Sequence, residues 1–404
     1  MDDYSGAAGL DRPQSGQNWV DLVIPYGKQE IVQADIDAVI EVLTSDFLTQ
    51  GPTVPAFEHA VSARVGVNYG VAVNSATSAL HIACLALDLG PGDILWTSPI
   101  TFVASANCAL YCGASVDFVD IDPRTLNMCP AALKSKLEEA SKCNKLPKVL
   151  IPVHMCGRPC EMEEVSALAK AYGVKVIEDA SHAIGSCYRG SPVGSCKYSD
   201  ITVFSFHPVK IVTTAEGGMA LTNNADLLAK MRLFRSHGVT RDESLMTNPS
   251  AGPWYYEQMI LGWNYRMTDI QAALGVSQLS RLSDYVTRRN ELAARYEEAF
   301  RGEALECPIR DDAHFSSFHL YVVRLQNFER HRKIFETLRA EGVGVNLHYI
   351  PVHLQPFYRR LGFSEGDYPN AEDYYRRAIS LPLFPAMTSQ QQDTVVERVR
   401  SALG

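Results

Sequence analysis

"VNYGVAVNSATSALHIACLALDL", residues 67–89, joins two periodicities in one run. Its first part is nearly all small and apolar, as a strand covered on both faces must be. Its second part opens on short hydroxyl residues and continues as an apolar helix. The junction, "NSATSAL" at 74–80, is therefore a helix start. The first N–H groups of a helix have no partner within it, so such a start can hold an anion. Plain capping by Ser75 or Thr77 would use the same residues.

The unit repeats downstream. "GPGD" turns into strand "ILWT", then helix "FVASANCALYCG" and strand "SVDFVDID". Helix "PAALKSKLEEA" begins at a proline, which suits a first helical turn. Strand "KVLIPVH", helix "EMEEVSALAKAYG", strand "VKVIEDA" and strand "ITVFSF" follow. Strands alternating with helices predict an α/β fold with a mostly parallel sheet flanked on both faces. After about residue 225 helices dominate: "ADLLAKMRLFRSHG", "MTDIQAALGVSQLSRL" and "DYVTRRNELAARYEEAFRG". Strands "FHLYVVRL" and "GVGVNLHY" around helix "ERHRKIFETLRAEG" read as a smaller α+β unit. The expected organisation is a loose tail over 1–20, a large domain over 21–275 and a small C-terminal domain over 276–404. Residues 240–259 form a long polar and aromatic loop of the kind that often serves function.

The bulk composition narrows the partners. The chain has 404 residues, 46% of them hydrophobic, with a net charge of −9. That charge argues against nucleic acid and anionic membrane as partners. No apolar run reaches a membrane span, and the acidic, polar start lacks the order of a signal peptide. Ten cysteines are many. Those in apolar helical stretches read as packed, reduced thiols, which places the protein in the cytoplasm. Cys156 and Cys160 flank "GRP" at a spacing too weak to assign a metal, and none is expected.

Four stretches fall beyond strand ends, where an open α/β sheet binds its ligands. The first is the helix start, with Thr77 and Ser78. "VIEDASHA", 176–183, ends an apolar strand with Glu178 and Asp179. A carboxylate there is costly unless it meets a cation or donors, so Asp179 could keep a ring nitrogen protonated. His182 is either a core histidine or a contact to a ring substituent. "FSFHPVKIVTTAEGG", 204–218, offers Ser205 to a phosphate and Lys210 to a carbonyl. Its glycine pair suits a sharp turn and close approach to a neighbour. "TFVAS", 101–105, adds Phe102, a core residue or a platform for a flat ring. A reactive lysine, an acid for a ring nitrogen, an aromatic platform and an anion-binding helix start are what pyridoxal 5'-phosphate chemistry requires.

Across about residues 22 to 400 the chain resembles the DegT/StrS-type sugar aminotransferases, a family of fold-type I pyridoxal phosphate enzymes. The matching stretches are "LTQGPTVPAFE", "NSATSALH", "TFVASAN", "PVHMCG", "IEDASHAIG", "SFHPVK", "TTAEGGM" and "NYRMTDIQAALG". Histidine at 182, "NLHYIPVHLQPFYR" and "SLPLFPAMT" are similar to the PseC-type subgroup. That subgroup aminates carbon 4 of a UDP-linked 4-keto-6-deoxy-N-acetyl sugar on the way to pseudaminic acid. The resemblance implies an aspartate-aminotransferase-like fold and a glutamate-dependent transaminase. It implies that Lys210 forms the Schiff base and Asp179 pairs with the pyridine nitrogen. It places His182 near the ring, Phe102 stacked on it, and Thr77, Ser78 and Ser205 on the phosphate. Asn264 would reach that phosphate from the other subunit of a homodimer, so that active sites are shared. His348 and Tyr349 would serve the sugar nucleotide. The rivals are amination of another nucleotide-linked keto sugar (D-xylo 4-keto, or 3-keto), a sugar dehydratase and a non-catalytic cofactor-binding regulator. A dehydratase of this fold would carry histidine in place of Lys210.

Overall fold

The computed structural model describes residues 23–404; the tail expected over 1–20 lies outside them. The described chain opens with two helices that the pattern reading did not assign, α1 (Gln33–Leu43) and α2 (Thr53–Val65). Their polar anchors are distant in sequence. Buried Asp35 on α1 accepts from Arg281 at 2.7 Å, Ser277 at 2.6 Å and Gln278 at 2.9 Å. Asp269 accepts from the amides of Gly51, Thr53 and Val54, which begin α2.

The main sheet is built from β1 (Tyr69–Val73), β2 (Ile94–Thr97), β3 (Ser115–Phe118), β4 (Val149–Ile151), β5 (Lys175–Asp179), β6 (Ile201–Ser205) and β7 (Gly218–Thr222). Their spatial order is β1-β7-β6-β5-β4-β2-β3. β7 runs antiparallel to both its neighbours and the other pairings are parallel. The expected mostly parallel, mixed sheet is therefore present. β5 and β6 are buried along nearly their whole length, as strands covered on both faces must be. The covering helices are α3 (Ala76–Ala86), α4 (Ala104–Tyr111), α5 (Pro130–Lys142), α6 (Met162–Ala171), α7 (Ala225–Arg235) and α8 (Asp269–Ser280).

β7 differs from the sequence reading, which made the glycine pair a turn. Neither Gly217 nor Gly218 takes a left-handed φ; Ala215 does, at +66°. The turn comes earlier and Gly218 starts the strand. Because β7 is antiparallel, Gly218 lies opposite Val73 and Ser205, at the carboxyl ends of β1 and β6.

A second core gathers Leu292, Tyr296, Tyr321, Leu338 and Val395 around a three-stranded sheet. Its strands are β8 (Leu305–Glu306), β9 (Tyr321–Leu325) and β10 (Ala378–Leu381), all antiparallel. Helix α9 (Leu282–Ala299) runs through both cores: Leu282, Tyr285 and Val286 pack toward the main sheet, and Leu292, Ala293 and Tyr296 toward the smaller one. We propose that these cores are the two domains expected over 21–275 and 276–404, with α9 as the strut between them. The expected strand "GVGVNLHY" does not form. Only Val343 and Asn346 pair, with Ile24 and Ser380 respectively, and on different partners. "FHLYVVRL" becomes a strand only from Tyr321.

Candidate active site

The carboxyl ends of β1, β5 and β6 and the start of β7 converge on one edge of the sheet. At β1, the Ser75 side chain caps α3, accepting from the Ser78 amide at 3.1 Å. The Ser78 hydroxyl donates to Asn74 Oδ1 at 2.7 Å. Thr77 lies half-buried in the same first turn. Capping is therefore real, and the helix start remains directed at the site edge. Gly218 presses against it. A Cβ on Gly218 would come within 2.5 Å of the Ala76 nitrogen and the Ser75 carbonyl carbon. Backbone atoms cannot move aside as a flexible side chain can, so only glycine lets β7 approach this turn. Gly218→Ala is expected to push the helix start outward, costing about 1–3 kcal/mol by overpacking. Thermal denaturation and bound cofactor per subunit should both fall; a variant with undiminished cofactor content would separate Gly218 from the cradle.

Glu178 and Asp179 end β5 on opposite faces, as the alternation of a strand demands. Glu178 is satisfied within the protein. It accepts from His154 Nε2 at 2.8 Å, Ser199 Oγ at 2.5 Å and Thr202 Oγ1 at 3.2 Å. His154 Nδ1 accepts the Cys160 amide at 3.0 Å, which places the imidazole proton on Nε2, toward Glu178. Burial raises the Glu178 carboxyl, and these donors outweigh it, leaving it below its ordinary value. Asp179 is held differently. Its Oδ2 accepts from Ser105 Oγ at 2.6 Å and its Oδ1 from the Ser181 amide at 3.1 Å. Ser105 is in turn bonded to Thr101 Oγ1 at 2.7 Å. Both donors to Asp179 are neutral.

Lys210 is half-buried in the loop between β6 and β7, where its amide donates to the His207 carbonyl at 2.9 Å. Three buried histidines stand around it. His182 Nε2 lies 3.2 Å from the Tyr349 hydroxyl, and its ring centre is 4.4 Å from that of His319. His348 Nδ1 lies 2.7 Å from Ser380 Oγ. Burial, then the Lys210 charge, pushes His348 down to about 3. Burial and Lys210 also hold His182 well below its usual range. Burial first, then His182 and Lys210, do the same to His319. All three imidazoles are neutral at physiological pH, so none adds a cation beside the ammonium. Phe102 is 56% exposed, and its ring centre lies 6.2 Å from that of Tyr349. Ser205, nearly buried, ends β6 opposite Gly218.

Of the residues expected from sequence, Thr77, Ser78, Asp179, Ser205 and Lys210 thus flank one edge. The structure brings His348 and Tyr349 in beside His182. Asn264 is exposed, on the 263–266 stretch that pairs Tyr265 with Asn74 beside the end of β1. Sequence reasoning missed Ser105 and His319. Ser105 stands one helical turn after Thr101 in the quoted "TFVAS", a spacing that could have paired them. His319 lay inside a stretch read only as strand. The residues fit a flat, anionic cofactor. A helix start and a glycine cradle would meet its charged end and the Asp179 carboxylate its ring, and among the described residues His182 Nδ1 and His319 Nδ1 are buried without a hydrogen-bond partner.

The sequence model of the DegT/DnrJ/EryC1/StrS aminotransferase family matches residues 29–400. The chain is 39% identical to the spore coat polysaccharide biosynthesis protein SpsC of Bacillus subtilis, over 93% of this chain and 96% of that one. It is 37% identical to the UDP-4-amino-4,6-dideoxy-N-acetyl-beta-L-altrosamine transaminase of Campylobacter jejuni, over 94% and 98%. Among solved structures, the PLP-form of Spr1654 from Streptococcus pneumoniae superposes with a TM-score of 0.85 at 30% identity, covering 94% of this chain and 98% of that one.

Proposed function

The chain belongs to the DegT/DnrJ/EryC1/StrS aminotransferase family, and from that premise we propose that it moves the amino group of glutamate to carbon 4 of a UDP-linked 4-keto-6-deoxy-N-acetyl-hexose. The observation that carries this reading is the Asp179 carboxylate, held by two neutral donors at the end of β5, on the same site edge as Lys210, whose ammonium lies beside buried His182. Pyridoxal 5'-phosphate, when bound, supplies an aldehyde for the amine and a protonated ring that accepts electrons. The protein supplies the rest. Asp179 holds the proton on the ring nitrogen. The α3 start, with Thr77 and Ser78, and Ser205 bind the phosphate. Phe102, and His182 with Tyr349 beside it, would hold the ring. Lys210 would hold the cofactor through its amine and, once released, would serve as the base and acid that takes up and returns a proton. His348 and Tyr349 shape the side on which the sugar enters. Among the described residues no helix is long and apolar enough to cross a membrane, which supports a cytoplasmic enzyme working on a soluble sugar nucleotide.

Substrate choice rests on the Campylobacter relative and on the subgroup-like stretches around His182 and His348. Purified protein should convert the L-arabino 4-keto epimer, with glutamate, to the L-altrose-configured amine. The product is identified by mass and NMR. A site that leaves a buried donor unpaired on the wrong epimer rejects it strongly. A preference for the D-xylo epimer or for a 3-keto sugar would move the enzyme to a neighbouring specificity and leave the chemistry unchanged.

The enzyme works as a homodimer with shared sites, Asn264 of one subunit reaching the phosphate of the other. Exposed Asn264 at the edge of the site supports this. Lys210→Ala and Asn264→Ala homodimers should each be inactive. Mixing them after reversible dissociation should restore about a quarter of the wild-type rate, because half the dimers are hybrid and each hybrid holds one intact site. No recovery in demonstrably hybrid dimers would show that each site is built from one chain.

A further inference from the structure

The proposed chemistry uses none of the ten cysteines, yet three of them lie together behind the site. Cys84 is on α3, and Cys108 and Cys112 are four residues apart along α4 and its C-cap. The two helices share one buried apolar cluster that contains all three side chains. Cys84 interacts with both Cys108 and Cys112. Cys112 also faces His81, one turn before Cys84 on α3. His81 Nδ1 lies 3.1 Å from the Tyr265 hydroxyl, and its Nε2 is buried with no hydrogen-bond partner. An imidazole nitrogen left open beside a thiol is the arrangement that makes a thiolate available. Interaction with Cys84, opposed by burial and assisted by His81, draws Cys112 down to about 6. Burial and its sulfur neighbours raise Cys84. The other titratable groups facing the cluster are Tyr111, Tyr265 and Tyr358. Cys112 is 9% exposed and Cys84 and Cys108 are fully buried, so Cys112 is the most accessible of the three. Among the described residues no group of His, Cys, Asp and Glu is arranged to hold a metal.

We infer that Cys112 and Cys84 form a peroxide-sensitive dithiol, in which Cys112 reacts with a hydroperoxide and Cys84 then closes a disulfide between α3 and α4. The Cys112 sulfur attacks one peroxide oxygen, the O–O bond breaks and, with a proton, the other oxygen leaves as water. The Cys84 sulfur then displaces the hydroxyl from the Cys112 sulfenic acid, releasing a second water. Two thiols are oxidised to one disulfide and one hydrogen peroxide is reduced to two waters. The amino ends of these same helices carry Ser75–Ser78 and Thr101–Ser105. The cross-link would therefore tie the anion-binding turn to the serine that positions Asp179.

The full chain is treated with a tenfold excess of hydrogen peroxide and mapped without reduction. No Lys or Arg lies between Arg64 and Arg124, so trypsin leaves all three cysteines in one peptide; cleavage before Asp88 and Asp93 separates Cys84 from the other two. The expected product is a Cys84–Cys112 linked pair that dithiothreitol reverses. Cys84→Ala should stop at a Cys112 sulfenic acid trapped by dimedone, and Cys112→Ser should lose both signals. His81→Gln should slow iodoacetamide labelling of Cys112 about tenfold at pH 7 and leave exposed Cys143 unchanged. Oxidation confined to Cys143, or a link from Cys84 to Cys108, would overturn the inference. The wild-type map decides this even if a variant fails to fold.

Discussion

Lys210→Ala is expected to lower the transamination rate by about four orders of magnitude or more. In the proposed function the side chain has two tasks, holding the cofactor through its amine and moving a proton at the reacting carbon. General acid–base transfer alone contributes roughly 10²–10⁴-fold, and loss of the nucleophile adds to it. The surroundings support an assignment to this lysine and not to a surface charge. The Lys210 ammonium is close enough to depress His182, His319 and His348, three neutral rings drawn from different parts of the chain. Lys210→Arg should be nearly as inactive, because a guanidinium keeps its proton at any working pH. Added small amines should restore a fraction of the rate to the alanine variant, since they replace the proton carrier without the tether. Borohydride should fix the cofactor to Lys210 in the wild type, as read by peptide mass. Labelling at another lysine, or full turnover by the alanine variant, would remove Lys210 from this role.

The βα alternation was legible because the central parallel strands are buried on both faces and read as apolar runs. β7 was not. A strand that begins at Gly218 carries the signature of a turn, and only its close approach to Ala76 explains why glycine is there. The segment 342–349 shows the converse error. Its "VGVNLHY" pattern is strand-like, but Val343 and Asn346 find different partners, and the chain then directs His348 to Ser380. Lys210, Asp179 and the α3 start could be singled out as candidates because ligand sites sit beyond strand ends. The contacts that tune them could not. Ser105 reaches Asp179 across 74 residues of sequence, and His319 reaches His182 from the segment just before β9. Such distances are set by tertiary packing, to which local periodicity is blind.

Asp179→Asn is expected to reduce the rate by roughly 10²–10³-fold while leaving the fold nearly intact, an effect on the scale of losing one preorganised electrostatic partner. The argument turns on a comparison with its neighbour in the chain. Glu178 and Asp179 are both buried, at 4% and 5% exposure, so burial does not distinguish them. Their partners do. Glu178 faces His154 and two hydroxyls and has its hydrogen-bonding capacity filled inside the protein. Asp179 keeps only the Ser105 hydroxyl and the Ser181 amide, and a buried carboxylate needs more than that unless a cation arrives. In the proposed function a protonated ring nitrogen would be that cation. Asparagine can still accept from Ser105, so the melting temperature should change little, but an amide cannot hold the ring proton by charge. Ser105→Ala should cost about tenfold by loosening the same carboxylate. Glu178→Gln should do the reverse: about 1–3 kcal/mol of stability lost, as for a buried bond left poorly matched, with the rate per folded molecule within about threefold. Denaturation and half-reaction kinetics with glutamate on these three variants separate the two carboxylates. Equal losses of rate for Glu178→Gln and Asp179→Asn would mean that the strand end acts as one electrostatic unit, and the division of labour between its two faces would fail.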